Sequence, residues 1–304
     1  ARAGDAPDLN VVSNPSWGGL QDVVLPVTDI VQKIDDREGF LDGVLDGYEK
    51  DGEYWGVPLD GFAHTLFYRP SMLEAAGVEP PTTWEELLDA ASRLTGDGVY
   101  GIGLPTSRSQ YAQDAFAAFL ASNGATDVLD EDGQAALDTP KVQETLEYYN
   151  ELSKFSPPAS SGWEWGDAES AWASGKIALF PYVTPNLTSF REANGMDIAN
   201  VALPVPAGEE PATEIQVHAL QVSKDAEKRG HLDAAETFLE FINQPEMSWI
   251  LTMGQDPGFF QPVTESAKEL LDSDYWDSES FPIKDFDDSR LQVRASQSEL
   301  LQGL

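Results

Sequence analysis

The residues of this chain best equipped for chemistry are aromatic rings set beside carboxylates and amides. Trp163 and Trp165 flank Glu164 in a Pro-, Ser- and Gly-rich stretch, residues 156–166. Two indoles in a loop need a reason: the π-face of indole can stack on the axial C–H groups of a pyranose. The alternative is packing onto the helix that follows. Asp60 offers a carboxylate that can accept two hydrogen bonds from vicinal hydroxyls, or is one surface carboxylate among many. His64 can donate to a hydroxyl, or it is structural. Other chemistries lack their signatures: there is no nucleophile elbow, zinc-binding helix or phosphate-binding P-loop. Gly96-Asp97-Gly98-Val99-Tyr100-Gly101 spells G-x-G-x-x-G, but it follows a helix and enters a strand, the reverse of what dinucleotide binding requires. Asp130-Glu131-Asp132-Gly133 is like part of a calcium loop. Val128 and Thr139 stand where its first and last ligands belong, so no metal loop is expected there, and no cofactor is expected from the motifs present.

Composition narrows the setting. The chain has 304 residues, enough for two lobes. It carries 53 acidic and 18 basic residues, a net charge of −35. Such a chain repels nucleic acid and anionic lipid head groups. The acid is spread along the whole chain, which points to a solvated surface and a salt-loving, haloarchaeal source. A calcium-loaded surface and a nucleic-acid mimic are the other readings. There is no cysteine, which excludes disulfides, thiolate metal sites and a Cys nucleophile. No run of about 18 apolar residues is present to span a bilayer, and no signal peptide opens the chain.

The stretch from Tyr54 to Thr95 positions much of the rest. Gly56-Val57-Pro58 closes a short extended run, and the aromatic run Thr65–Tyr68 has strand length and is stopped by Pro70. Ser71 to Ala76 makes two helical turns, with Gly77 at the left-handed C-terminal position. Thr83 and Glu86 form a capping box. Trp84, Leu87, Leu88, Ala91 and Leu94 share one face of the helix so begun. Asp51-Gly52 predicts a hairpin. Further on, residues 99–104 read as a strand and Ser109 to Asn123 as a helix. Thr139-Pro140 starts another helix, and Ala226 to Asn243 reads as one amphipathic helix.

This order of parts resembles the extracellular solute-binding protein family 1, the sugar-type receptors of ABC importers, which includes the maltose-binding kind. The motifs that carry the resemblance are Gly56-Val57-Pro58, Leu66-Phe67-Tyr68-Arg69, Ala76-Gly77, Pro80-Pro81 and Thr83-Trp84-Glu85-Glu86-Leu87. Ala173-Ser174-Gly175-Lys176 and Gln244-Pro245-Glu246 add to it. The resemblance covers Ala3 to about Leu271. It implies an α/β, two-lobed, periplasmic-binding-protein-like (type II) fold with a hinge and an interlobe cleft. Lobe I would hold residues 1–64 and 219–258, and lobe II residues 65–218 and 259–304. It implies that the first strands of lobe I, and a lipidated or cleaved N-terminus, lie upstream of Ala1. It also implies ligand contacts: Asn14 and Trp17 in the loop after the first strand, Asp60 and His64 at the first crossover, and Tyr111 at a helix start. Tyr182 and Asn186 stand in place of the family's usual Gly-x-Trp, and Phe259 or Phe260 lies by the third crossover. Asn186-Leu187-Thr188 is also a glycosylation sequon, which a cleft position would leave unused. The family's small residues near Gln216 are replaced here by Gln and His.

The function so implied is a substrate-binding protein outside the cell, lipid-anchored through an upstream segment. It would act as a monomer, capture a sugar or short oligosaccharide by hinge closure and deliver it to permease subunits. Eight Trp and nine Tyr favour a carbohydrate, and scarce Lys and Arg argue against phosphate. A glycerol phosphate or polyamine receptor is the alternative. A glycoside hydrolase with paired carboxylates is a further one, and a ligand-free salt-adapted surface protein the last.

Overall fold

The computed structural model describes residues 6–13, 19–35, 37–41, 43–125, 135–183, 197–210, 212–252, 260 and 262–269. The strands are β1 (Leu9–Ser13), β2 (Val24–Leu25), β3 (Glu49–Lys50), β4 (Glu53–Tyr54), β5 (Val57–Ala63), β6 (Thr65–Tyr68), β7 (Tyr100–Ile102), β8 (Ile177–Tyr182), β9 (Ala199–Ala202) and β10 (Ile215–Ser223). The helices are α1 (Thr28–Lys33), α2 (Pro70–Ala76), α3 (Trp84–Leu94), α4 (Gln110–Ser122), α5 (Pro140–Ser153), α6 (Trp165–Ala173), α7 (Lys224–Arg229), α8 (Leu232–Ile242), α9 (Pro245–Thr252) and α10 (Glu265–Glu269).

The chain divides into two compact units, residues 1–62 with 216–286 and residues 63–215 with 287–304. The described residues after 259 pack in the first unit. Leu41 N–H donates to the Val263 carbonyl, Phe40 bridges to Thr264, and Phe260 packs on Phe62.

In the first unit β10 is the central strand. It pairs antiparallel with β1, Ser13 opposite His218 and Leu9 opposite Val222, and with β2, and β5 also pairs with it. Val31, Val57, Leu220, Val222 and Leu239 close the core between this sheet, α1 and α8. The single helix expected over 226–243 is two. Gly230 adopts φ 73°, the left-handed conformation that ends α7, and α8 starts after His231. The Asp51-Gly52 hairpin forms as expected, joining β3 to β4.

The second unit holds a mixed sheet in the order β7-β8-β6-β9, with β7 parallel to β8 and the other pairs antiparallel. Every residue of β8 is buried, as expected of a strand covered on both faces. The capping box of α3 is complete: Thr83 Oγ1 accepts from Glu86 N–H, and the Glu86 carboxylate accepts from Thr83 N–H. The buried face of α3, with Trp84, Leu87 and Ala91, meets Phe119, Leu152 and Leu179 in one core. Gly101 shows why the G-x-G-x-x-G string is structural. A Cβ there would lie 1.8 Å from the Ala91 carbonyl oxygen, so only glycine lets β7 lie this close to α3. Among the described residues no helix is long and apolar enough to cross a membrane, and no group of three His, Asp or Glu could hold a metal.

Candidate ligand-binding site

Three aromatic candidates meet in the second unit because three separate elements start or end there. Ser109 caps α4, its hydroxyl accepting from Ala112 N–H, which places Tyr111 in the first turn. Glu164 and Asp167 form a reciprocal cap on α6, which places Trp165 at its first position. Tyr182 is the last residue of β8. The ring of Trp165 lies 4.5 Å from that of Tyr111 and 5.5 Å, edge-on, from that of Tyr182, and Tyr111 and Tyr182 are 5.7 Å apart. Tyr182 is stacked on Phe180, Phe180 on Trp172, and the Arg69 guanidinium sits over the Trp172 ring at 4.4 Å. A continuous stack of side chains thus supports the group from below.

Trp165 is half-buried, whereas Tyr111 and Tyr182 are fully buried. Tyr182 donates to Glu169 Oε1 at 2.6 Å. The Tyr111 hydroxyl is buried with no hydrogen-bond partner, and burial pushes it well above the ordinary phenol range, so it stays protonated. A buried hydroxyl without a partner costs about 1–3 kcal/mol, and a ligand hydroxyl is a natural way to recover it. A half-exposed indole, a carboxylate and an unsatisfied phenol together suit the apolar face and the hydroxyls of a sugar.

The second group is in the first unit. Asp60 on β5 is 6% exposed, and its Oδ1 is 2.7 Å from Nδ1 of His218 on β10. Burial pushes the Asp60 carboxyl up, while the hydrogen bond and charge of His218 pull it back. Phe62 and Phe260 pack on the imidazole, with ring centres 5.3 and 5.1 Å away. The Tyr48 hydroxyl beneath lies between the carbonyls of Val217, 2.6 Å, and Val12, 3.0 Å.

Two further candidates are also buried. Trp163 is 5% exposed, and its carbonyl accepts from the hydroxyls of Ser107 and Ser109, which holds the loop in place. His64 is 1% exposed, and burial holds its imidazole down at about 3, so the ring is neutral. Neither ring nitrogen has a hydrogen-bond partner, and the nearest carboxylate oxygen, of Glu214, is 3.9 Å away. Asn14, Trp17, Asn186 and Phe259 lie outside the described residues. His218, Phe62 and Glu169 are not among the ligand contacts expected from the sequence. Glu169 had a signal: Trp165, Glu169 and Trp172 are spaced i, i+4, i+7 on one face of α6.

The profile of the bacterial extracellular solute-binding proteins matches residues 1–249. The chain belongs to this family. Among curated relatives is an Escherichia coli K12 protein, YcjN, which carries the name of an ABC transporter periplasmic-binding protein. This solute-binding protein is 30% identical to it over 285 residues, 86% of this chain and 64% of YcjN; it therefore spans less than two thirds of that relative. Among solved structures, the maltose-bound T. maritima MalE3 superposes with a TM-score of 0.79 at 19% identity, covering 100% of this chain and 75% of that one. A Thermotoga lettingae ABC transporter solute-binding protein bound with alpha-D-tagatose gives 0.76 at 21% identity, covering 100% and 82%. The fold is therefore the two-domain α/β fold of these proteins.

Proposed function

We propose that this solute-binding protein is the carbohydrate-capturing component of an ABC importer. It takes a sugar or short oligosaccharide by hinge closure and passes it to a membrane permease. The observation that carries this reading is the Tyr111–Trp165–Tyr182 cluster with Glu169 at its edge. Aromatic faces supply contact area, and the carboxylate and phenol fix the orientation of hydroxyls. The maltose and tagatose carried by its structural neighbours point the same way. The protein works outside the cell as a monomer, held by a lipid anchor, and binds without turnover.

A phosphate ligand finds less support. Arg69, which sits over the Trp172 ring beneath this cluster, donates from Nη2 to the Trp172 carbonyl at 2.6 Å and from Nε to the Ile177 carbonyl at 3.0 Å. Titration of Trp fluorescence with a panel of mono- and oligosaccharides in concentrated KCl, with chromatography of the mixture, tests the proposal. Saturable change with intact sugar is expected. Cleavage products would favour the hydrolase, and saturation by glycerol phosphate alone would favour the phosphate receptor.

A further inference from the structure

The Asp60–His218 contact has a chemical consequence that rests on the carbohydrate reading above. Neutral imidazole carries one N–H, on either nitrogen, and a partner on one nitrogen decides which. The Asp60 carboxylate, 2.7 Å from Nδ1 and acceptor-only when ionised, holds the proton on Nδ1. Nε2 is then a lone-pair acceptor. The side chain of His218 is 20% exposed and that of Asp60 is 9% exposed, so the imidazole is the more accessible member of the pair. Phe62 and Phe260 pack on it and restrict its rotation. The backbone is fixed as well: His218 lies on the central strand opposite Ser13, and Tyr48 is bonded to the carbonyl of Val217 next to it.

We propose that His218 is a specificity-determining residue, whose Nε2, held as an acceptor by Asp60, takes a hydrogen bond from a ligand hydroxyl. Tyr48 beneath the pair stays protonated, because burial and the Asp60 charge both raise its phenol, and Phe62 and Phe260 carry no charge.

The test is calorimetric titration of the protein with its best-bound sugar from that panel, and with a set of mono-O-methyl ethers of that sugar, in concentrated KCl. One ether should bind about tenfold weaker than the parent sugar. His218→Asn, whose amide reaches the Nδ1 position but not Nε2, should bind the parent about tenfold more weakly and should no longer distinguish it from that ether. His218→Gln, whose amide oxygen reaches the Nε2 position, should bind the parent more tightly than the Asn variant does. Circular dichroism in the same buffer establishes that each variant is folded. A folded His218→Asn that binds the parent as tightly as the unchanged protein, or that still distinguishes the same ether, would overturn the assignment while leaving the carbohydrate reading intact. No binding of any sugar would remove both.

Discussion

Tyr111 is the residue at which stability and binding pull apart. Its buried hydroxyl has no partner in the free protein, so Tyr111→Phe should leave stability unchanged or raise it by up to about 1 kcal/mol. The same substitution should weaken sugar binding, because the ligand loses a donor. Thermal unfolding and titration on one preparation check both signs; a clear fall in Tm would mean that the hydroxyl is satisfied. His64 makes a pH prediction. Its folded value, about 3, lies below its unfolded value, so the unfolded state binds the proton first as pH falls. Stability is complete above the unfolded value and is lost as pH drops from there through about 3, by the order of a few kcal/mol. His64→Phe should flatten that limb in urea unfolding measured from pH 7 to pH 3, and an unchanged limb would contradict the buried neutral ring. For neither residue does the sequence give burial, since a polar letter in an apolar run suits a ligand contact and a core position equally.

Element-scale features were the most legible. Thr83-x-x-Glu86 states its own capping box, and Thr83→Ala should cost about 1 kcal/mol, read from the urea midpoint; no shift would mean the cap contributes nothing. Thr139-Pro140 and Asp51-Gly52 were equally readable, because the chemistry that makes each feature lies within a few adjacent residues. The division of 224–242 into two helices turns on Gly230, which periodicity alone passes over. The unit in which Phe260 packs is not written in its local sequence either. What places it is long-range contact with Phe62 and His218, and local pattern carries no such information. The same limit hid the Asp60–His218 pair, whose members are 158 residues apart.

At the scale of the whole molecule, charge dominates. A net −35 on 304 residues opposes compaction wherever the repulsion is unscreened, and the Debye length shrinks from about 10 Å at 0.1 M to about 3 Å at 1 M salt. Tm should therefore climb steadily as KCl is raised from 0.1 M to 2 M, and a flat or falling Tm would argue that the acid is locally neutralised. Screening leaves a short-range contact of ring on sugar largely intact, so capture in brine should rest on Trp165 more than on long-range charge. The measurement closest to the central claim is the dissociation constant of the best-bound sugar for Trp165→Ala against the unchanged protein, by calorimetry in 2 M KCl. A loss of tenfold or more, about 1.4 kcal/mol, with unfolding shifted by little, is the predicted result. Equal affinity in a folded Trp165→Ala would contradict the account.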